Sequence, residues 1–212
     1  MPRIDDYKQA RAISVKELSM IDPGAIARFS GANIRREDPD ITALLINFLK
    51  KDLSISWPEM KFSSEGPDEE VPIQQQVLIL HYLQGACSSD GASTTGEWIS
   101  FQDIPDGRFY MDAFVRRAKE PLLRAFGDNP ERMPELASRA YDTSGLDYGD
   151  FSVIVKALPL VPVALVLWEG DEEFPPEGNI LFDRSISKFL SAEDTAWLAG
   201  MIVYPLVGMA KK

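Results

Sequence analysis

Residues 158–183 constrain the chain most: Leu-Pro-Leu-Val-Pro-Val-Ala-Leu-Val-Leu-Trp-Glu-Gly-Asp-Glu-Glu-Phe-Pro-Pro-Glu-Gly-Asn-Ile-Leu-Phe-Asp. Nothing polar interrupts Val161 to Leu167, so this half reads as a strand buried on both faces. Phe151 to Leu158 precedes it and forms a β-hairpin with Val161 to Trp168 over Pro159-Leu160. The second half carries Glu169, Asp171, Glu172, Glu173 and Glu177 and no base. Gly170, Pro175, Pro176 and Gly178 break regular structure, so a loop is expected there. Loops held by a rigid scaffold are where sites are often built, and this one also carries Phe174.

The same reading along the rest of the chain gives helices and hairpins without a βαβ rhythm, hence an α+β fold: β-hairpins packed with helices on an antiparallel or mixed sheet. Asp5 to Met20 reads as a helix, and Asp22-Pro23 as an N-cap with proline in the first turn of a short helix through Phe29. Ile41 to Leu49 and Asp52 to Trp57 are expected strands, with Leu53, Ile55 and Trp57 alternating with serines and Lys50-Lys51 making the turn. Ser63 to Glu70 reads as a surface loop, Pro72 to Leu83 as a helix apolar nearly all round, Gly85 to Gly96 as a flexible stretch and Glu97 to Phe101 as a strand. Met111 to Phe126 is helical with a kink or restart at Pro121 and a C-terminal cap at Gly127. Pro130 to Tyr141 is a short helix, and Ser191 with Asp194 caps a last apolar helix.

The chain has 212 residues, which suits a single domain over 1–212 with loose termini at 1–8 and 209–212. A domain of that size buries roughly 70% of its unfolded surface and needs no staple. Cys87 is the single cysteine, so no intramolecular disulfide and no intrinsic iron–sulfur cluster is expected. Met1 to Ala10 has no apolar core of a signal peptide. The apolar tract Trp197 to Ala210 is 14 residues and contains Pro205, short of the roughly 20 that span a bilayer. A cytoplasmic protein with no membrane partner is expected. The formal net charge is −11, and 63–107 holds eight acids and no Lys or Arg, whereas 108–139 holds seven bases against five acids. Nucleic-acid backbones want clustered bases, so no nucleic acid is expected as a partner.

The chemistry candidates are few. His81 lies mid-helix, where a neutral imidazole with one hydrogen bond is the ordinary state and ligation of a metal or tetrapyrrole is the alternative. Cys87 reads as a simple buried thiol. Gly91 to Gly96 lacks the phosphate-loop pattern and precedes a strand. In the acidic loop the consecutive Asp171-Glu172-Glu173 cannot all face one point, and Arg108, Arg116, Arg117 and Arg124 are the obvious ion-pair partners. No metal site is expected.

Several phrases together resemble one family: His81-Tyr82-Leu83, Gly96-Glu97-Trp98-Ile99-Ser100-Phe101, Pro121-Leu122 with Phe126-Gly127, Gly149-Asp150, Trp168 to Phe174, Asn179 to Asp183 and Leu190 to Asp194. They are similar to the domain of unknown function 3786, seen mainly in anaerobic bacteria and archaea, and the resemblance runs from about Gln9 to Val207. The resemblance implies no established activity. Some members carry an added N-terminal domain like the cysteine-ligated iron–sulfur domain of corrinoid iron–sulfur proteins, which implies an association with corrinoid or electron-transfer proteins. This chain shows no such cysteine-rich extension, so a cluster is expected to come from a partner.

The first expectation is therefore a non-catalytic accessory or binding protein that docks a corrinoid or other tetrapyrrole cofactor, or the iron–sulfur or corrinoid protein carrying one. Its pocket is expected to gather Trp98, Trp168, Phe174, Asp171, Glu173 and Asp183, with His81 below, aromatics giving contact area and acids orientation. The alternatives are an enzyme using Asp171 and Glu173, with or without a divalent cation, and a pure protein-interaction module whose acidic 63–107 segment steers a basic partner.

Overall fold

The computed structural model describes residues 4–38, 41–64 and 70–211. The fold is α+β, with one four-stranded and one five-stranded antiparallel sheet. Two compact units divide the chain.

The first unit comprises 1–93 with the short segments 158–160 and 188–190. It holds helices α1 (Ile4–Leu18), α2 (Pro23–Ser30) and α3 (Ile73–Ser88), and strands β1 (Asn33–Asp38), β2 (Ile41–Phe48), β3 (Lys51–Trp57) and β4 (Phe62–Ser64) in the order β1-β2-β3-β4. Asp22 caps α2 by accepting the Ala25 N–H at 3.0 Å, and Gly31 ends it at φ 70°. Strands β1 and β4 escape the sequence reading. The Arg-Arg-Glu-Asp run of β1 shows no alternation, as suits a charged edge strand, and β4 is three residues long. Ser63 and Ser64 of the expected loop belong to β4, and 65–69 lie outside the described residues.

Helix α3 runs to Ser88, five residues beyond the expected end at Leu83. Gly85 misleads: a side chain there would place Cβ 2.3 Å from the Phe189 carbonyl oxygen, so the glycine serves a close approach rather than a helix end. Tyr82, fully buried on α3, donates to the Ser30 carbonyl at 2.5 Å and accepts the Leu160 N–H at 3.3 Å. Burial pushes its phenol well above its ordinary pKa.

The β2–β3 turn is Leu49-Lys50, one residue earlier than expected, with Phe48 opposite Lys51. Both turn residues have positive φ, 50° and 65°, the mirror-image two-residue turn that matches sheet twist but suits Asn-Gly. Replacing Leu49-Lys50 by Asn-Gly is expected to raise stability by about 1 kcal/mol, read as a higher denaturant midpoint at unchanged slope. An unchanged or lower midpoint refutes this account of the turn.

The second unit comprises 94–157, 161–187 and 191–212. Its strands are β5 (Trp98–Ser100), β6 (Thr143–Ser144), β7 (Phe151–Leu158), β8 (Val161–Trp168) and β9 (Glu177–Asp183), in the order β5-β9-β8-β7-β6. Around them lie α4 (Gly107–Phe114), α5 (Glu120–Phe126), α6 (Arg132–Ala140), α7 (Ile186–Phe189, its last two residues counted with the first unit) and α8 (Ala192–Ala210). The hairpin β7–β8 has the expected ends, and Val163 to Leu167 are completely buried. Phe101 stacks on Phe114 at 4.2 Å, and Phe182 meets both edge-on at 6.1 Å.

Gly178, expected in the loop, lies inside β9 opposite Leu167. A Cβ there would meet the tip of the Leu167 side chain at 2.9 Å, so a larger residue would make that side chain shift. Pro121 restarts the helix as expected, through a π-helical turn over Val115–Lys119 that joins α4 to α5. Proline has no N–H for the Arg117 carbonyl, and the wider turn, with Glu120 N–H on Val115, absorbs the loss. Gly127 follows α5 in right-handed rather than left-handed geometry, its N–H still bonded to Leu123 at 2.7 Å. Ser191 accepts the Asp194 N–H at 3.1 Å to start α8. Helical order begins at Ile4 and ends at Ala210, inside the termini expected to be loose. Among the described residues no helix is long and apolar enough to cross a membrane.

Candidate functional site

The acidic loop between β8 and β9 is closed on itself. Asp171 accepts the N–H groups of Glu173 and Phe174 on one carboxylate oxygen, at 2.8 and 2.7 Å, and its own N–H donates to the Phe174 carbonyl at 2.9 Å. Those backbone donors hold the Asp171 carboxyl below the usual carboxylate range. At the root of the loop Asp150 accepts the Glu169 N–H at 2.9 Å. Pro175 and Pro176 follow, and Gly170 has room for no side chain, since its Cβ would lie 2.7 Å from Pro176. Within this frame the Phe174 ring stands 67% exposed, and Glu172 and Glu173 are exposed beside it.

An open cleft of about 510 Å³ lies between this loop and the turn after α5, lined by Gly127, Asp128, Pro130, Glu169, Asp171 and Phe174 among others. No Lys or Arg lines it. Three of the four cations expected to neutralise the loop are engaged elsewhere: Arg117 lies over the Trp197 ring at 4.4 Å, Arg124 is 4.0 Å from Glu120, and Arg116 donates to the Asp112 carbonyl at 3.1 Å.

Asp183 is different in kind. It is 2% exposed and receives six hydrogen bonds, from the N–H groups of Thr95, Gly96 and Ser185 and the hydroxyls of Thr95 and Ser185, at 2.6–3.0 Å, the Thr95 N–H being shared between both oxygens. Burial raises its pKa, but the bonds from Ser185, Thr95 and Gly96 together outweigh it and hold the carboxyl below its ordinary range. Every oxygen lone pair is spent on the chain, which makes Asp183 a clasp for the segment entering β5. Arg184 beside it pairs with exposed Glu97 at 2.5 and 2.6 Å.

The residues expected to share one pocket fall into three groups. Trp98 sits directly opposite Asp183 in the β5–β9 ladder. Trp98 and Trp168 are half-buried against one buried patch of Ala164, Val166 and Leu181, where Trp168 meets Tyr148 edge-on at 6.0 Å. Asp171, Glu173 and Phe174 form the loop, joined to Trp168 through Glu169 and Gly170. His81 is half-buried on α3 and belongs to the first unit. Cys87, also on α3, has its thiol pushed up by burial. Among the described residues no group of three or more His, Cys, Asp or Glu is arranged to hold a metal ion.

One cleft has no counterpart in the sequence reading. A half-open groove of about 460 Å³ between α5 and α8 is lined by Arg116, Pro121, Arg124, Ala125, Tyr204, Val207, Ala210 and Lys211. The base-rich run 108–139 supplies two of its three cations and was the available signal.

A family profile described as Domain of unknown function (DUF3786) matches residues 22–204 of the chain. No curated protein and no solved structure matches it.

Proposed function

The chain belongs to the family described as Domain of unknown function (DUF3786), and we propose that it is a recognition module, not a catalyst, whose working part is the loop from Glu169 to Glu177. The observation that carries this reading is the Asp171-closed turn holding Phe174 in solvent between exposed acids. Presenting an aromatic from a pre-ordered loop removes much of the entropy cost of binding, and buried aromatic anchors dominate the energy of protein interfaces. The acids add steering toward a basic partner surface. Asp171, one of the two carboxylates that would serve general acid–base chemistry, is held below its ordinary range by backbone hydrogen bonds, the reverse of the raised pKa such a role needs. The family resemblance suggests the partner class: a protein carrying a corrinoid or an iron–sulfur cluster, its basic face meeting the loop. Direct binding of a tetrapyrrole is the small-molecule form of the same reading.

The test is capture of partners from the native host under anaerobic conditions, comparing the wild-type chain with Phe174→Ala. Because Phe174 is exposed, its loss should leave thermal stability unchanged while weakening the captured complex by roughly 30-fold, the effect of removing an interface anchor. Equal capture by both chains refutes the loop as the docking element.

A further inference from the structure

The groove between α5 and α8 has the complementary chemistry to that loop. Arg116, Arg124 and Lys211 rim it, Pro121, Ala125 and Val207 give it an apolar floor, and among the described residues no acid lines it. The loop offers five acids and an exposed phenyl ring at one apex. Both features adjoin the same short helix. The groove uses Pro121, Arg124 and Ala125 of α5, and the acidic cleft begins at Gly127 just past its end. There a Cβ on Gly127 would lie 3.3 Å from the Pro176 ring, so the root of the loop packs against the end of the helix. A basic groove and an acidic loop thus both border α5 in the second unit. Such a pair is complementary to its own copy: a two-fold axis lays the basic groove of each chain on the acidic loop of the other, and the contact closes at two chains.

We propose that the groove seats the acidic loop of a second copy of this chain, and that its own loop is seated in return, giving a two-fold dimer with Phe174 on the apolar floor between Pro121 and Val207 and the loop acids against Arg116, Arg124 and Lys211. The proposal rests on the loop being a docking element and names a second copy as an occupant of the groove. A foreign partner for the loop then competes with the dimer.

The decisive measurement is mass in solution by light scattering or sedimentation, with charge reversals on both sides. The wild-type chain is expected to be a dimer whose dissociation constant rises at least about tenfold between low and high salt, because the rim charges are screened. Arg116→Glu with Arg124→Glu should give a folded monomer, and so should Glu172→Lys with Glu173→Lys. All four reversals in one chain should restore the dimer, which a merely destabilised variant does not do. Phe174→Ala should weaken it. A wild-type monomer at every concentration overturns the proposal, as does a dimer indifferent to either reversal or a four-fold variant that stays monomeric while folded. A monomeric wild-type chain that still loses its host partner on Phe174→Ala removes the dimer and leaves the docking function standing. A reversible dimer whose host partners ignore Phe174 does the opposite.

Discussion

Asp183→Asn is expected to cost about 3 kcal/mol of folding stability at neutral pH, seen as a large fall in the denaturant midpoint. The asparagine amide keeps the shape but turns two donor hydrogens toward N–H and O–H groups that now find one acceptor oxygen instead of two. The donors of Thr95, Gly96 and Ser185 lose charge-assisted bonds in a site that is almost fully buried. The pH dependence follows from the sign of the shift. The folded-state pKa of Asp183 is depressed, so its contribution is fully present above the unfolded value of about 3.9 and is lost as pH falls through the lower folded value. The gap between wild type and variant should therefore be wide at neutral pH and narrow in strong acid. A constant gap across that range, or none at neutral pH, defeats the clasp interpretation.

Gly85→Ala should also destabilise, although alanine is the better helix former. Helix propensity favours the change by about 1 kcal/mol. The new methyl would lie 2.3 Å from the Phe189 carbonyl oxygen and 2.8 Å from its Cα, both backbone atoms with no side-chain torsion to yield. Overpacking of that kind costs about 3 kcal/mol, so a net loss of about 2 is expected. Gly208→Ala is the control: α8 is helical there and a Cβ meets nothing within 4 Å, so the propensity gain should appear alone. If both alanines stabilise, the close approach at Gly85 does not exist.

These two positions also mark where local reading stops. A carboxylate in Asn-Ile-Leu-Phe-Asp looks like any strand-end acid until β5 lies beside β9 and brings Thr95 and Gly96 within reach, 88 and 87 positions away in the chain. Gly85 and Gly178 both carry the signature of a break, yet both lie within regular elements, and at Gly85 the backbone of Phe189 comes too close for a side chain. The basic groove was only half legible: the run 108–139 carries Arg116 and Arg124, but the groove itself needs α8, far away in sequence, to close it.

What the sequence determined by itself is whatever a few neighbouring residues decide: the buried hairpin from its unbroken apolar run, the start of α2 from Asp22-Pro23, the start of α8 from Ser191, the restart at Pro121, and the exposed acidic loop with its aromatic. Those features answer to steric limits and hydrogen-bond needs satisfied within one turn or one strand pair. The tertiary structure alone decided the length of α3, the strand β9 through Gly178 and the use of Asp183 as a clasp. Each of these depends on which distant backbone arrives beside a residue, and burial and close packing, not local propensity, set the outcome there.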